Sequence, residues 1–541
     1  MSKKLFWVLF ALVFIIFASI YAVTSILPHI YFKTAALDLG MFNHALYSFA
    51  HFKSNTFTLS VSGSEIPYFA DHFSPITILY GPFYYLFGEY TLLIIQILSI
   101  LAGGYGVFKY SIYKGLNRWM SLLLTIHFFT IFGIYSALNF DFHNNVIAAM
   151  LVPWFIYFFD KGQLKWMLVF YFLIILAKEN MALWMTFILL GLILRKEYSS
   201  SGISKKTAAL LMVCSALYFI IIMQLVMPAL IKGMEVGQLG RYSHIGGSLS
   251  EIALKLWRKP DKFFVMLFEN TLGLYDGLGV KSQLHFLVLV SGGFAFFRRP
   301  HFLVMLIPIY AQKMFSNSLT FWSDRSQYSI EFVPIISLAV ISLIFYYKDT
   351  KWSWAIILIL IYTSVHFNEK NLRLLKKEHY IADVNVKAIN KQLKLIPDDA
   401  IISVNSMLAP HLAFRDRIYL YPKVKDATYI ALIKKRSFYP LSGENFKKHV
   451  NKIRIHPASK VLIDNDDIII AKITPDFIKK KDYSKFDPEY WTRISEIKQF
   501  IIKNKEWYNS LEGKATKRHI TVDSMLNIDA KNVYEEKYTI E

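Results

Sequence analysis

Cysteine is nearly absent: Cys214 is the only one in 541 residues. No intramolecular disulfide and no thiolate metal site can be built from it. The chain has no Walker loop, no Gly-x-Gly-x-x-Gly fingerprint, no zinc-ligand spacing and no Gly-x-Ser-x-Gly elbow, which argues against ATP-driven transport by this chain. No internal repeat and no low-complexity linker is visible. Charge is scarce as well, at 18% of residues, and it is one-sided: 39 acidic against 60 basic, a net +21. Apolar surface is abundant instead. The chain is 55% hydrophobic and 16% aromatic, more than a soluble domain ordinarily carries.

The apolar residues fall into about eleven stretches in the first two-thirds of the chain, most near the length needed to cross a hydrocarbon core of about 30 Å. They lie at about 5–27, 90–110, 119–138, 145–159, 166–177, 181–194, 207–231, 284–297, 302–315, 328–347 and 352–367. The first follows Lys3 and Lys4 and is too long for a signal peptide, with no small-residue cleavage site after it. The short loops carrying Lys109, Lys114 and Arg118, Lys161 and Lys165, Arg195 and Lys196, Arg298 and Arg299, and Lys348 and Lys351 are basic and fall on alternate crossings. Basic loops stay in the cytoplasm. This bias accounts for the loop share of the charge without a nucleic-acid partner. The expected fold class is therefore mainly α: a polytopic transmembrane bundle with a cytoplasmic N-terminus and long outer loops at 28–89 and 232–283. Within the first loop, residues 75–87 are apolar but short and contain Pro82, which suits an interfacial or re-entrant helix. The stretch 254–267 reads as amphipathic.

Beyond residue 367 the composition changes. Charged residues alternate with β-rich runs at 400–404, 417–421, 428–433, 460–463 and 467–473, and helical periodicity appears at 383–395 and 489–505. The expected organisation is a transmembrane part, 1–367, and a soluble extracytoplasmic α/β domain, 368–541. The Asp464-Asn-Asp-Asp467 cluster lacks the Gly and distal Glu of a calcium loop and reads as a hairpin turn.

The threading places Asp38, Asp71, His72, Asp141, His143, Lys178 and Glu179 on one side, the outer one. Carboxylates and imidazoles beside a membrane can take a proton, orient a hydroxyl or hold a divalent cation. Each also has a plainer reading. Asp38 suits a helix cap, His72 a satisfied interfacial histidine, and Lys178 with Glu179 a local salt pair. Arg241 and Arg325 lie on the same side, and an Arg fork matches a phosphate. Attraction to anionic lipid explains Lys255, Arg258 and Lys259 equally well. Glu331, just inside the tenth stretch, needs a partner, and Arg325 or Lys313 is placed to supply one.

Several of these residues carry a resemblance. Asp38-Leu-Gly-Met-Phe, His72-Phe-Ser-Pro75, Phe142-His143, Lys178-Glu179, Arg241-Tyr-Ser-His244, Ile396-Pro-Asp-Asp-Ala400, Pro410-His411-Leu and Arg415-Asp-Arg-Ile-Tyr419 resemble the bacterial membrane family called domain of unknown function 2079. They match in order along about residues 30–435. Asn180 stands where that family leads one to expect an acidic residue. The family is similar in layout to GT-C glycosyltransferases, polytopic enzymes that transfer a sugar from a polyprenyl-phosphate carrier outside the cytoplasm. The resemblance implies a bacterial cytoplasmic-membrane protein with Asp38 where the GT-C catalytic carboxylate lies. By that implication Asp38, His72 and Glu179 are catalytic, with Asp38 alternatively helping to hold a divalent cation. Asp71, Asp141, His143, Lys178, Arg241 and Arg325 then bind substrate. The implied partners are membrane lipid, a polyprenyl-phosphate-linked sugar and an acceptor whose identity the sequence does not reveal. Two other readings remain open: a transporter or flippase, with ionisable groups lining a path, and a non-catalytic envelope assembly protein.

Overall fold

The computed structural model describes residues 3–60, 65–196, 202–231, 239–270, 272–273, 279–477, 489–518 and 520–538. Contacts divide the chain into two compact units, Met1–Ala382 with Pro410–Arg415, and Asp383–Ala409 with Asp416–Glu541. The change in composition alone places the boundary at 367/368. Parts of the 232–283 loop, residues 232–238, 271 and 274–278, lie outside the described residues.

The first unit is a bundle of apolar helices, because a run of twenty apolar residues satisfies its backbone groups in lipid only by coiling. Each of the expected apolar stretches is helical over most of its length. Among the described residues, three helices are long and apolar enough to cross a membrane unaided: Lys3–Ile30, Pro75–Tyr113 and Lys205–Ile231. The count rises to five if each of two bent pairs is one span, while Asn144–Asp160, Leu164–Ile175 and Glu179–Leu194 are apolar but shorter. Residues 75–87 form a 3₁₀ segment, Pro75–Tyr80, then an α-helix, Gly81–Phe87. Gly88 ends that helix at φ +54° before Thr91–Tyr113 begins.

Several helices are interrupted. Arg118–Thr130 and Phe132–Leu138 meet at 46° and Leu319–Ser329 and Phe332–Tyr346 at 67°. Residues Leu289–Gly293 make a π turn in which Gly292 has φ +116°. A break frees backbone carbonyls that lipid cannot satisfy. Side chains fill the need: Tyr21 donates to the Phe129 carbonyl at 2.9 Å, His127 Nε2 to that of Ser291 at 2.9 Å, and Thr363 to that of Val290 at 2.7 Å. The last two acceptors lie in the π turn. Helices Glu179–Leu194 and His301–Met314 approach closely at Gly191, where an added Cβ would sit 2.6 Å from the His301 carbonyl oxygen.

The second unit holds, among the described residues, a five-stranded mixed sheet. Ile402–Val404 lies between Ile418–Leu420 and Tyr429–Ile433, parallel to both. Ile468–Ile473 pairs antiparallel with Tyr429–Ile433 and with Ser459–Asp464. The five strands coincide with the five β-rich runs. In the hairpin turn, Asn465 Oδ1 accepts from the Asp467 and Ile468 N–H groups at 3.0 and 3.1 Å. Asp464 and Asp467 are paired with Lys434, Arg454 and Lys435, the expected turn in place of a calcium loop. Helix Gly443–Ile455 covers the sheet through Phe446, Val450 and Ile453. Helices Tyr490–Lys503, Lys505–Arg518 and Val522–Tyr538 share a separate core built on Ile494, Ile501, Leu511 and Leu526.

Candidate active site

Asp38 sits in a single π turn, Ala36–Gly40, that opens helix Met41–Ala50. Such turns bulge the backbone and re-aim a side chain. The turn is held from outside by Asp141, whose Oδ2 accepts from the Ala35 N–H at 2.8 Å. Asp141 has φ +56°, a left-handed conformation that aspartate tolerates better than most residues. Gln96 fixes its loop from both ends. The Gln96 Nε2 donates to the Asp141 carbonyl at 2.8 Å, and its Oε1 accepts from the His143 N–H at 3.1 Å. His143 stands in extended backbone just before helix Asn144–Asp160 without a side-chain capping bond, and its buried Nε2 comes within 3.5 Å of Asp38 Oδ1.

His72 follows the short helix Tyr68–Asp71. Its Nε2 lies 3.5 Å from Asp71 Oδ2. The Phe42 ring is parallel to His72 at 6.0 Å and edge-on to His143 at 5.8 Å, so one phenyl group lies beside both imidazoles. Glu179 is buried at the start of helix Glu179–Leu194, and its Oε2 accepts from the Phe73 N–H at 3.1 Å. Lys178 is extended, outside that helix.

Electrostatics tie these residues together. The Lys178 charge acts on Asp38, Asp71, His72, His143 and Glu179. That of Arg241 acts on Asp71 and His72. Burial raises Asp38 to about 6, against the opposing pull of Lys178. Burial, with the Asp38 charge added, raises Asp141 to about 7. Burial raises Asp71 too, and with the Lys178 cation it holds both His72 and His143 well below the usual imidazole range. The arrangement offers two neutral imidazoles and a half-buried carboxyl group whose proton leaves near neutrality, a suitable value for a general base.

Lys178 and Glu179 also line a cavity of about 260 Å³ with Arg241, Tyr242 and Gln312. Its remaining wall includes Leu183, Phe219, Met223, Ile245 and Phe315. Arg241 is braced there, its guanidinium 4.5 Å from the Phe321 ring centre. The Tyr242 hydroxyl donates to the Gln312 carbonyl at 2.9 Å. Two cations in the wall of a largely apolar hollow suit an anionic group carried on an apolar body.

Arg325 stands apart from this group. It is exposed, and its charge is not among those acting on the cluster. Glu331 accepts from Asn145 Nδ2 at 2.9 Å and feels the Lys313 charge. Lys313 itself donates to the Ser323 carbonyl at 2.9 Å and to Ser329 Oγ at 3.1 Å. Asn180 donates to Gln312 Oε1 at 2.9 Å. Asp38 and His143 offer two metal donors, but among the described residues Asp38 belongs to no group of three His, Cys, Asp or Glu ligands. Gln96 and Gln312 belong to no motif, and Phe42 and Tyr242 stand inside the resembling motifs without a role of their own. Gln96 left a signal, as a lone amide within an apolar run.

Apolar helices of this length with an ionisable cluster at their ends define a polytopic membrane protein. The chain belongs to the family described as predicted membrane protein (DUF2079), which matches residues 28–437. Comparison with curated proteins gives no match. Among solved structures the chain is similar to ArnT from Cupriavidus metallidurans, determined bound to undecaprenyl phosphate. The two are 12% identical with a TM-score of 0.46, over 89% of this chain and 100% of that one.

Proposed function

We propose that this protein is a membrane glycosyltransferase of GT-C type. In this reading it transfers a sugar from a polyprenyl-phosphate carrier to an acceptor hydroxyl on the outer face of the bacterial cytoplasmic membrane, where the sheet-bearing unit also lies. The observation that carries the reading is the pairing of two features through Lys178. That cation acts on Asp38, whose proton leaves near pH 6, and it lines the apolar cavity that also holds Arg241. Asp38 takes the acceptor hydroxyl proton as the acceptor oxygen bonds to the anomeric carbon. The anomeric carbon–oxygen bond to the carrier phosphate breaks, and the phosphate leaves with the electron pair. Lys178 and Arg241 stabilise that charge. The carrier's isoprenoid chain lies against the apolar wall. His72, Asp71 and His143 position the acceptor, Asp141 holds the Asp38 turn, and Glu179 fixes the loop at Phe73.

A transport path through the bundle is less well supported. Lys313 lies in the last turn of its helix, and Glu331 precedes the first residue of its own. The test is sugar transfer from a labelled polyprenyl-phosphate donor in proteoliposomes containing the purified protein. Turnover that depends on Asp38 is expected; undiminished turnover in Asp38→Asn rejects the assignment.

A further inference from the structure

A second cluster lies in the first unit, outside the proposed machinery. His29 ends the long first helix and is fully buried. Its Nδ1 is 2.9 Å from Thr34 Oγ1, and its Nε2 is 3.6 Å from Glu89 Oε2. The same Glu89 oxygen lies 2.9 Å from His411 Nδ1. The two imidazole rings are parallel, with centres 4.1 Å apart. One ligand atom from each of the three residues lies within 4.8 Å of the other two. The segments involved are far apart in sequence: a helix end, the 3₁₀ turn Gly88–Tyr90 and the 410–415 segment.

A plain ion pair satisfies this cluster poorly. Glu89 bonds His411 Nδ1 but stays 3.6 Å from His29 Nε2, too long for a good hydrogen bond, so that buried nitrogen is poorly satisfied. Buried imidazole nitrogens in that state cost free energy. Two imidazoles and a carboxylate are a recognised donor set for zinc, with metal–ligand bonds of about 2.0–2.2 Å. In tetrahedral geometry such bonds put donors about 3.3 Å apart, close to the 3.6 and 2.9 Å that separate the Glu89 oxygen from the two imidazole nitrogens. The Thr34 contact is the outer support such a site needs: Nδ1–H donating to Thr34 leaves the His29 Nε2 lone pair for a metal.

We propose that His29 Nε2, Glu89 Oε2 and His411 Nδ1 bind a divalent transition-metal ion of the zinc class, clamping the 410–415 segment onto the helical unit. Binding shifts the His411 proton from Nδ1 to Nε2, so the ring stays neutral and its Nδ1 lone pair is freed for the metal. It also tilts the two rings out of parallel so that their lone pairs converge. A fourth position stays open to water.

The test uses full-length protein in detergent, purified without a histidine tag, stripped with chelator and dialysed against zinc chloride. Wild type is expected to retain one equivalent of zinc, and so is His51→Ala, a change outside the cluster. Glu89→Gln and His29→Gln each keep the side chain's approximate shape, and zinc affinity is expected to fall at least tenfold in both. Equal zinc content in wild type and Glu89→Gln overturns the proposal, as does wild type that takes up none. If both variants aggregate, cobalt loading of wild type decides. The visible bands of four-coordinate cobalt with nitrogen and oxygen ligands support the site, and their absence refutes it.

Discussion

Asp38→Asn tests activity and stability through the same group. Burial has lifted the Asp38 carboxyl from its ordinary 3.8 to about 6. A carboxyl raised on folding is easier to ionise in the unfolded chain, so its ionisation opposes the fold. Below about pH 4 both states are protonated and Asp38 costs nothing. Between about pH 4 and 6 the cost grows, and above 6 it is complete. The rise corresponds to about 3 kcal/mol, and the side chain is only 25% exposed, so solvent screens little of it. Asn carries no charge to strand. Asp38→Asn should therefore be more stable than wild type above pH 6 by up to about 3 kcal/mol, with the two converging near pH 4. Thermal unfolding in detergent across that range measures the effect. The same variant should lose about 10²- to 10⁴-fold in transfer rate, the usual share of a general base. The acid limb of the wild-type pH–rate profile should have its midpoint near 6 and vanish in the variant. A variant both less stable than wild type at pH 7.5 and equally active would refute the account of Asp38.

Three further outcomes are expected. Lys178→Gln removes the cation that holds Asp38 down, so the acid limb should move to higher pH, and the Michaelis constant for the carrier should rise about tenfold or more as a charge-assisted contact is lost; kinetics from pH 5 to 9 measure both. Gly191→Ala places a methyl group against the His301 carbonyl and Met305, and should lower stability by about 1–3 kcal/mol, seen as a lower melting temperature, with little change in the pH profile. With Cys214 replaced by Ser, an impermeant maleimide added to intact cells should label Lys53→Cys and spare Lys165→Cys; the reverse pattern would place the site on the cytoplasmic side.

Much of the helical unit was legible because lipid demands long apolar runs and the basic loops punctuate them. The residues now grouped around Asp38 were legible as ionisable groups at helix ends. What brings them together was not. The π turn at 36–40 arises from a backbone irregularity with no side-chain signature, and its restraint by Asp141 spans about a hundred residues. Phe42 reads as one more apolar residue until its ring is seen against His72 and His143. The cluster of His29, Glu89 and His411 leaves no sequence pattern for a related reason: its members fall on a span end, an interfacial turn and a distant segment, so no spacing rule links them. In the second unit the strands show as runs of β-branched residues. Helices 443–455, 505–518 and 522–538 are rich in lysine, glutamate and asparagine, and their apolar stripes are too thin to stand out.

Tyr21, His127 and Thr363 suggest a way to read hydroxyls and imidazoles inside hydrophobic segments. Each repairs a discontinuity in another helix, at Phe129, Ser291 or Val290. Their persistence should track the kink they mend rather than any solute. In a related chain whose third apolar segment runs straight past the position of Ile131, phenylalanine should serve as well as tyrosine at position 21. Tyr21→Phe in the present chain should instead strand a carbonyl within the bilayer.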